Sequence, residues 1–163
     1  MYMDDEAEGL YEELFAGCTS LTAAPDIPDV SFESGFNTYK LRGAGIFKNM
    51  FSGCTALSTA PKIPDYGTGN SELYAGLFKG CSKLNYIEVN FTDWDSGNNM
   101  TQDWVSGVAA AGTFVKPETL PLQRGNSYIP NSWTVQEKPN DFYIRLKHLD
   151  SQNTGTLTQN FIL

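Results

Sequence analysis

The chain has 163 residues, a formal charge of -8 and an apolar share of 40%, enough to bury one sizeable core with at most a small appendage. The acidic balance excludes a nucleic-acid surface, which needs clustered Lys and Arg, and no apolar run is long enough to cross a bilayer as a helix. Asp4, Asp5, Glu6, Glu8, Glu12, Glu13, Asp26, Asp29 and Glu33 all precede the first basic residue, Lys40, so the first part of the chain is expected to present a negative face.

The opening residues are acidic where a secretory signal is basic and then apolar, and the expectation is a leader already removed or never present. From there the chain repeats itself. Tyr11-Glu12-Glu13-Leu14-Phe15-Ala16-Gly17-Cys18-Thr19-Ser20-Leu21 recurs as Phe47-Lys48-Asn49-Met50-Phe51-Ser52-Gly53-Cys54-Thr55-Ala56-Leu57, and again as Tyr74-Ala75-Gly76-Leu77-Phe78-Lys79-Gly80-Cys81-Ser82-Lys83-Leu84. The shared kernel is aromatic-x-x-[Leu/Met]-Phe-x-Gly-Cys-[Ser/Thr]-x-Leu. Its aromatic, Leu or Met, and Phe stand at i, i+3 and i+4, which predicts one inward face on a helical turn or two. The Gly is expected to end that turn in a left-handed conformation. The structural repeat core is therefore assigned to Phe15, Cys18, Leu21, Phe51, Cys54, Leu57, Phe78, Cys81 and Leu84.

In the first two copies Ala-Pro-x-Ile-Pro follows, at Ala24 and Ala60. Two prolines so close forbid a central strand and favour polyproline-like extension. In the third copy Tyr86-Ile87-Glu88-Val89-Asn90-Phe91 alternates and predicts a strand. The first two copies lie further apart than the second and third, so residues 30–45 are expected to hold an inserted loop or hairpin beside Phe32, Phe36 and Tyr39. Such insertions tend to carry contacts.

Phe-x-Gly-Cys-[Ser/Thr]-x-Leu resembles the signature of the BspA-like leucine-rich repeats of gut and oral bacteria. The likeness extends through Leu84-Asn85-Tyr86-Ile87, Trp104 to Lys116 and Ile129 to Val135, which look like the closing segment of such proteins in Bacteroides and their phages. It spans roughly residues 11–136. It implies an α/β repeat fold, a short irregular leucine-rich-repeat-like solenoid, and an adhesive role at a bacterial surface.

Residues 1–91 are accordingly read as three irregular repeats with an insert, and residues 92–136 as a C-terminal cap. In that cap Thr101 is the expected helix N-cap, Trp104, Val105 and Val108 share a helical face, and Gly112 stops it. Strands are expected at 113–115 and 129–135, and Trp104, Val108 and Trp133 are expected to cover the core. Residues 137–163 read as a β-hairpin, with Phe142, Ile144 and Leu146 alternating with Tyr143, Arg145 and Lys147. An isolated hairpin is marginal in water, so it is expected to dock, to pair with another chain or to begin a further domain.

Three cysteines at one repeat position are expected to form a buried ladder of free thiols. No Cys-x-x-Cys pair exists, and the sole histidine, His148, lies in the tail, so zinc is not expected. Asp93-Trp94-Asp95-Ser96-Gly97-Asn98-Asn99 is oxygen-rich like a calcium loop, but lacks the sixth-position Gly and the closing Glu of an EF-hand, and predicts an Asx-rich turn. No nucleophile and base stand together in a catalytic motif, so neither a catalytic residue nor a cofactor is assigned. The expectation is a non-enzymatic binding or adhesion module facing a protein or glycan partner outside the cell. Phe32, Phe36, Tyr39, Tyr66 and Tyr128 are its candidate contacts, and the C-terminal hairpin is a possible homo-oligomer contact. The alternative is a structural component of a phage virion, such as a fibre, tail or head appendage.

Overall fold

The computed structural model describes residues 8–27, 43–67 and 69–138, together with the backbone of two strands at 31–34 and 37–40. Each kernel begins with a run of turns in which the backbone N–H donates back three residues. In the first copy these bonds run from Glu12 to Gly9, Leu14 to Tyr11, Ala16 to Glu13 and Cys18 to Phe15. The residues between them do something else. The N–H groups of Gly9, Tyr11, Glu13, Phe15 and Gly17 donate to the carbonyls of Ala44, Ile46, Lys48, Met50 and Ser52 in the next copy, at 2.7–3.0 Å. Alternate amides thus close local turns and join neighbouring copies, so that every backbone donor from Tyr11 to Cys18 is paired.

The same pattern links residues 45–53 to 71–79, and residues 72–80 to 98–106. Four turn segments, here called tiers 1 to 4, are therefore stacked among the described residues. Tier 4, residues 99–107, is a degenerate copy in which Trp104, Val105 and Gly107 replace Leu77, Phe78 and Gly80. A left-handed residue recurs at every fourth position: Gly9, Glu13 and Gly17; Gly45, Asn49 and Gly53; Glu72, Gly76 and Gly80; Asn99, Asp103 and Gly107.

The expected α/β leucine-rich-repeat-like solenoid is overturned by these observations. Among the described residues there is no α-helix, and the one helical element is a 3-10 turn at Ser96–Asn98. Much of the described backbone is turn and irregular, and its regular structure is a two-stranded and a three-stranded sheet. The reason is local: an α-helix cannot continue through positive φ, and Glu13 (57°), Asn49 (55°), Gly76 (62°) and Asp103 (53°) interrupt every tier at its centre. Thr101 is correspondingly no helix N-cap; its hydroxyl donates to the Ser127 carbonyl at 2.7 Å.

In the segment between tiers 1 and 2, β1 (Ser31–Ser34) pairs antiparallel with β2 (Asn37–Lys40), setting Phe32 opposite Tyr39. The second sheet contains β3 (Tyr86–Glu88), β4 (Thr113–Pro117) and β5 (Thr134–Lys138), all parallel. The strand expected at 129–135 is displaced: Ile129 instead bridges Arg124, and pairing with β4 starts at Thr134. Outside β3 runs the proline-containing segment of the second copy, bridged only at Thr59 and Ile63. Pro61 has no N–H to extend that ladder.

The core lies between tiers and sheet. Phe47, Met50, Phe51, Tyr74, Leu77 and Phe78 are all buried, with Leu57, Leu84, Ile63 and Ile87 beneath them. Two aromatic columns cross it. Tyr11, Phe47 and Tyr74 stack at centroid spacings of 5.4 and 5.8 Å, and Phe15, Phe51 and Phe78 at 5.5 and 5.9 Å. Parallel stacking at these distances adds to the burial of each ring.

Candidate functional site

The two ends of the stack differ. At tier 4 two amides of the next row have partners: the Val105 N–H donates to the Asn126 carbonyl and the Asp103 N–H to the Ser127 hydroxyl. Trp94, Trp104, Phe114 and Tyr128 pack around this end, with Trp94 edge-on to Tyr128 at 5.3 Å. Trp94, Trp104 and Trp133 each donate an indole N–H to a carbonyl, those of Pro121, Tyr128 and Ala109, at 2.8 Å. Trp104 and Trp133 are thus fully integrated, and Val108 is partly buried against them.

Tier 1 ends differently. The carbonyls of Leu10, Glu12, Leu14 and Ala16 occupy the positions that accept inter-tier bonds in tiers 2 to 4, and among the described residues nothing donates to them. Leu10 and Leu14 are 52% and 56% exposed, whereas their counterparts Ile46 and Met50 are buried. Glu8, Glu12 and Glu13 are exposed along the same tier. A contiguous apolar and acidic edge of this kind marks an interaction surface more readily than scattered exposed leucines do.

The cysteines register the same asymmetry. The Cys54 thiol donates to the Phe15 carbonyl at 3.1 Å, and the Cys81 thiol to the Phe51 carbonyl at 3.0 Å. Burial pushes the Cys54 thiol up, and that of Cys81 up to about 12. Cys18 has no preceding tier to bond among the described residues, and it is exposed. The expected buried ladder therefore has two members, and Phe15 and Leu21 are only partly buried beside it.

The contact residues expected from sequence scatter. Phe32 and Tyr39 face each other in the hairpin's register, and Phe36 lies outside the described residues. Tyr66 is not a surface contact: it is 5% exposed, with its ring 5.6 Å from that of Phe47 and 6.5 Å from that of Tyr74. Tyr128 is half-buried and lines a shallow depression of about 90 Å³ with Ser96, Asn99, Gln102 and Ser127, well below the ~300 Å³ at which small-molecule pockets begin. Of the tail hairpin expected at residues 137–163, Glu137 and Lys138 belong instead to β5, and residues 139–163, with His148, lie outside the described residues.

Asp93 and Asp95 spend their oxygens locally. Asp93 Oδ1 accepts the Asp95 N–H at 2.6 Å, and Asp95 accepts from Asn98 Nδ2 and the Gly69 N–H at 2.8 and 2.7 Å. This is an Asx turn that ties the loop to residue 69. The most buried charge, Lys116, donates to the carbonyls of Pro117, Glu118 and Leu120 and pairs with Glu137 at 2.8 Å. It holds the turn after β4 and offers no free group for chemistry.

The acidity of the first edge is legible in the sequence, but its place as an open layer of a four-tier stack is not among the expectations, although a signal for it is there. Gly53, Gly80 and Gly107 are evenly spaced, which extends the repeat beyond its third copy and makes residues 9–17 the first layer among the described residues. No helix among the described residues is long and apolar enough to cross a membrane. Comparison of the chain with protein-family models, with curated proteins and with solved structures gives no match.

Proposed function

We propose that this chain is a non-enzymatic binding module whose partner is a protein seated on the edge formed by residues 9–17. The observation that carries this reading is the contrast between the two ends, one bonded to residues 126–128 and the other lined by exposed Leu10 and Leu14 beside carbonyls that accept no bond among the described residues. Exposed apolar side chains next to a row of backbone acceptors are complementary to an added peptide segment rather than to a sugar. The likeness of the kernel to BspA-like repeats supports display at a bacterial cell surface.

The test is a screen of the full chain against protein and glycan arrays, run beside a Leu14→Asp variant. Protein ligands bound by the parent and lost by the variant are expected. Glycan ligands retained by the variant would place function elsewhere on the molecule.

A further inference from the structure

The edge can be characterised further because the chain contains its own template for what fits there. Each interior tier receives four things from the tier before it. The first is a row of alternate N–H donors. The second is two aromatic rings, stacked at 5.4–5.9 Å on the rings of the kernel. The third is a carbonyl that accepts the kernel thiol. The fourth is a close glycine approach: a Cβ built on Gly53 would lie 3.6 Å from the Gly17 backbone, on Gly80 3.7 Å from Gly53, and on Gly107 3.5 Å from Gly80.

Tier 1 lacks all four among the described residues. Leu10, Glu12, Leu14 and Ala16 present bare carbonyls, and Tyr11 and Phe15 each have one stacking neighbour. Cys18 is exposed, and a Cβ on Gly17 would meet nothing within 4 Å.

We infer that this edge docks a kernel-type turn segment supplied by a different polypeptide. The claim rests on the binding reading above and names its partner's chemistry: a four-residue turn rhythm with alternate free N–H groups, aromatics at the kernel spacing and a basic outward residue. The hydrogen-bond polarity argues against a second copy of this chain as the donor. Two such edges would set carbonyl against carbonyl, the alternate N–H groups of tiers 1 to 3 are engaged by the following tier, and those of Asp103 and Val105 in tier 4 are engaged by residues 127 and 126. Charge favours a basic segment. Within the molecule Lys48 reaches across to Glu72 at 2.6 Å, and Glu72, Glu12 and Glu13 all favour its charged form; Glu8, Glu12 and Glu13 line the open side.

The probe is a blocked synthetic peptide with the sequence of residues 45–57, which carries the kernel and Lys48. Titrated into the full-length chain, it is expected to shift amide resonances of residues 9–18 and to slow labelling of Cys18. Methylating the peptide nitrogens equivalent to Phe47 and Phe51 removes two inter-tier donors and is expected to weaken binding at least tenfold.

A Gly17→Asn variant places a side chain in the docking path at a left-handed position that Asn tolerates. It is expected to keep the parent's near-ultraviolet circular dichroism and lose the peptide. Equal binding of a scrambled peptide, resonance shifts elsewhere, or absence of binding at millimolar peptide would overturn the inference. So would a dimeric solution mass abolished by Gly17→Asn, or cross-linking of Cys18 to residues 139–163 of its own chain. If array ligands remain sensitive to Leu14→Asp while the peptide does not bind, the binding reading stands and only the kernel partner fails.

Discussion

The Cys81 thiol donates to the Phe51 carbonyl oxygen at 3.0 Å, an oxygen that also accepts the backbone N–H of Cys54 at 3.1 Å. One acceptor thereby ties its own turn and the next tier together, which explains why Cys follows Gly in the second and third kernels. A serine would supply the hydroxyl but bury a more polar group in an apolar column. Cys81→Ala is expected to cost about 1–2 kcal/mol, through the lost hydrogen bond and a small void. Cys18→Ala is expected to be close to neutral; urea denaturation of both variants checks the difference.

The same thiol sets a pH dependence. Cys81 is held neutral in the fold up to about 12 by burial, whereas in the unfolded chain a thiol ionises near 8.5. Between these values the folded state binds more protons than the unfolded state, so stability falls as pH rises. Tyr74, raised well above its ordinary value chiefly by burial, adds to the fall above about pH 10. Urea midpoints are therefore expected to decline from pH 8 to 10, with a shallower decline for Cys81→Ala.

Gly112 separates close approach from conformational freedom. A Cβ there would lie 2.4 Å from the Asn85 carbonyl oxygen and 2.8 Å from the Trp133 ring, where β3, β4 and β5 begin. Neither neighbour moves freely, one being backbone and the other hydrogen-bonded to Ala109. Gly112→Ala is expected to destabilise by about 2–3 kcal/mol, whereas Gly97→Ala, with nothing within 4 Å, is expected to stay within about 0.5 kcal/mol. Thermal unfolding of the pair tests this.

Position in the stack also grades the aromatic column. Phe51 is fully buried between Phe15 and Phe78, and Phe51→Ala is expected to cost about 3–5 kcal/mol. Phe15 is half-buried with one stacking neighbour, and Phe15→Ala is expected to cost less than half of that. Equal losses in chemical denaturation would show that tier 1 is covered in solution.

Much of the core was legible in the sequence, but the backbone beneath it was not. The i, i+3, i+4 spacing of Phe47, Met50 and Phe51 correctly marks an inward face. Over so few residues, however, a four-residue turn rhythm and a 3.6-residue helix place the same side chains together. What distinguishes them is the set of left-handed-tolerant residues four apart, such as Gly45, Asn49 and Gly53, and that pattern went unused. Tier 4 escaped because Val105 and Val108 replace Phe and Cys, leaving Gly107 as its clearest mark. Tyr66 looked like a surface tyrosine beside Asp65 and Gly67, yet it fills the space beside two stacked rings, a contact between segments that local pattern does not encode. At residues 9–17 the acidity was legible but the open layer was not: whether a kernel is covered or open depends on its neighbours, and the kernel itself reads the same in both.

The most direct measurement of the central claim is the reactivity of the three thiols in the full-length chain, alone and with the residue 45–57 peptide. Fast labelling of Cys18, slow labelling of Cys54 and Cys81, and protection of Cys18 by the peptide are expected. A Cys18 already protected in the chain alone, or one whose labelling is unchanged by saturating peptide, would contradict it.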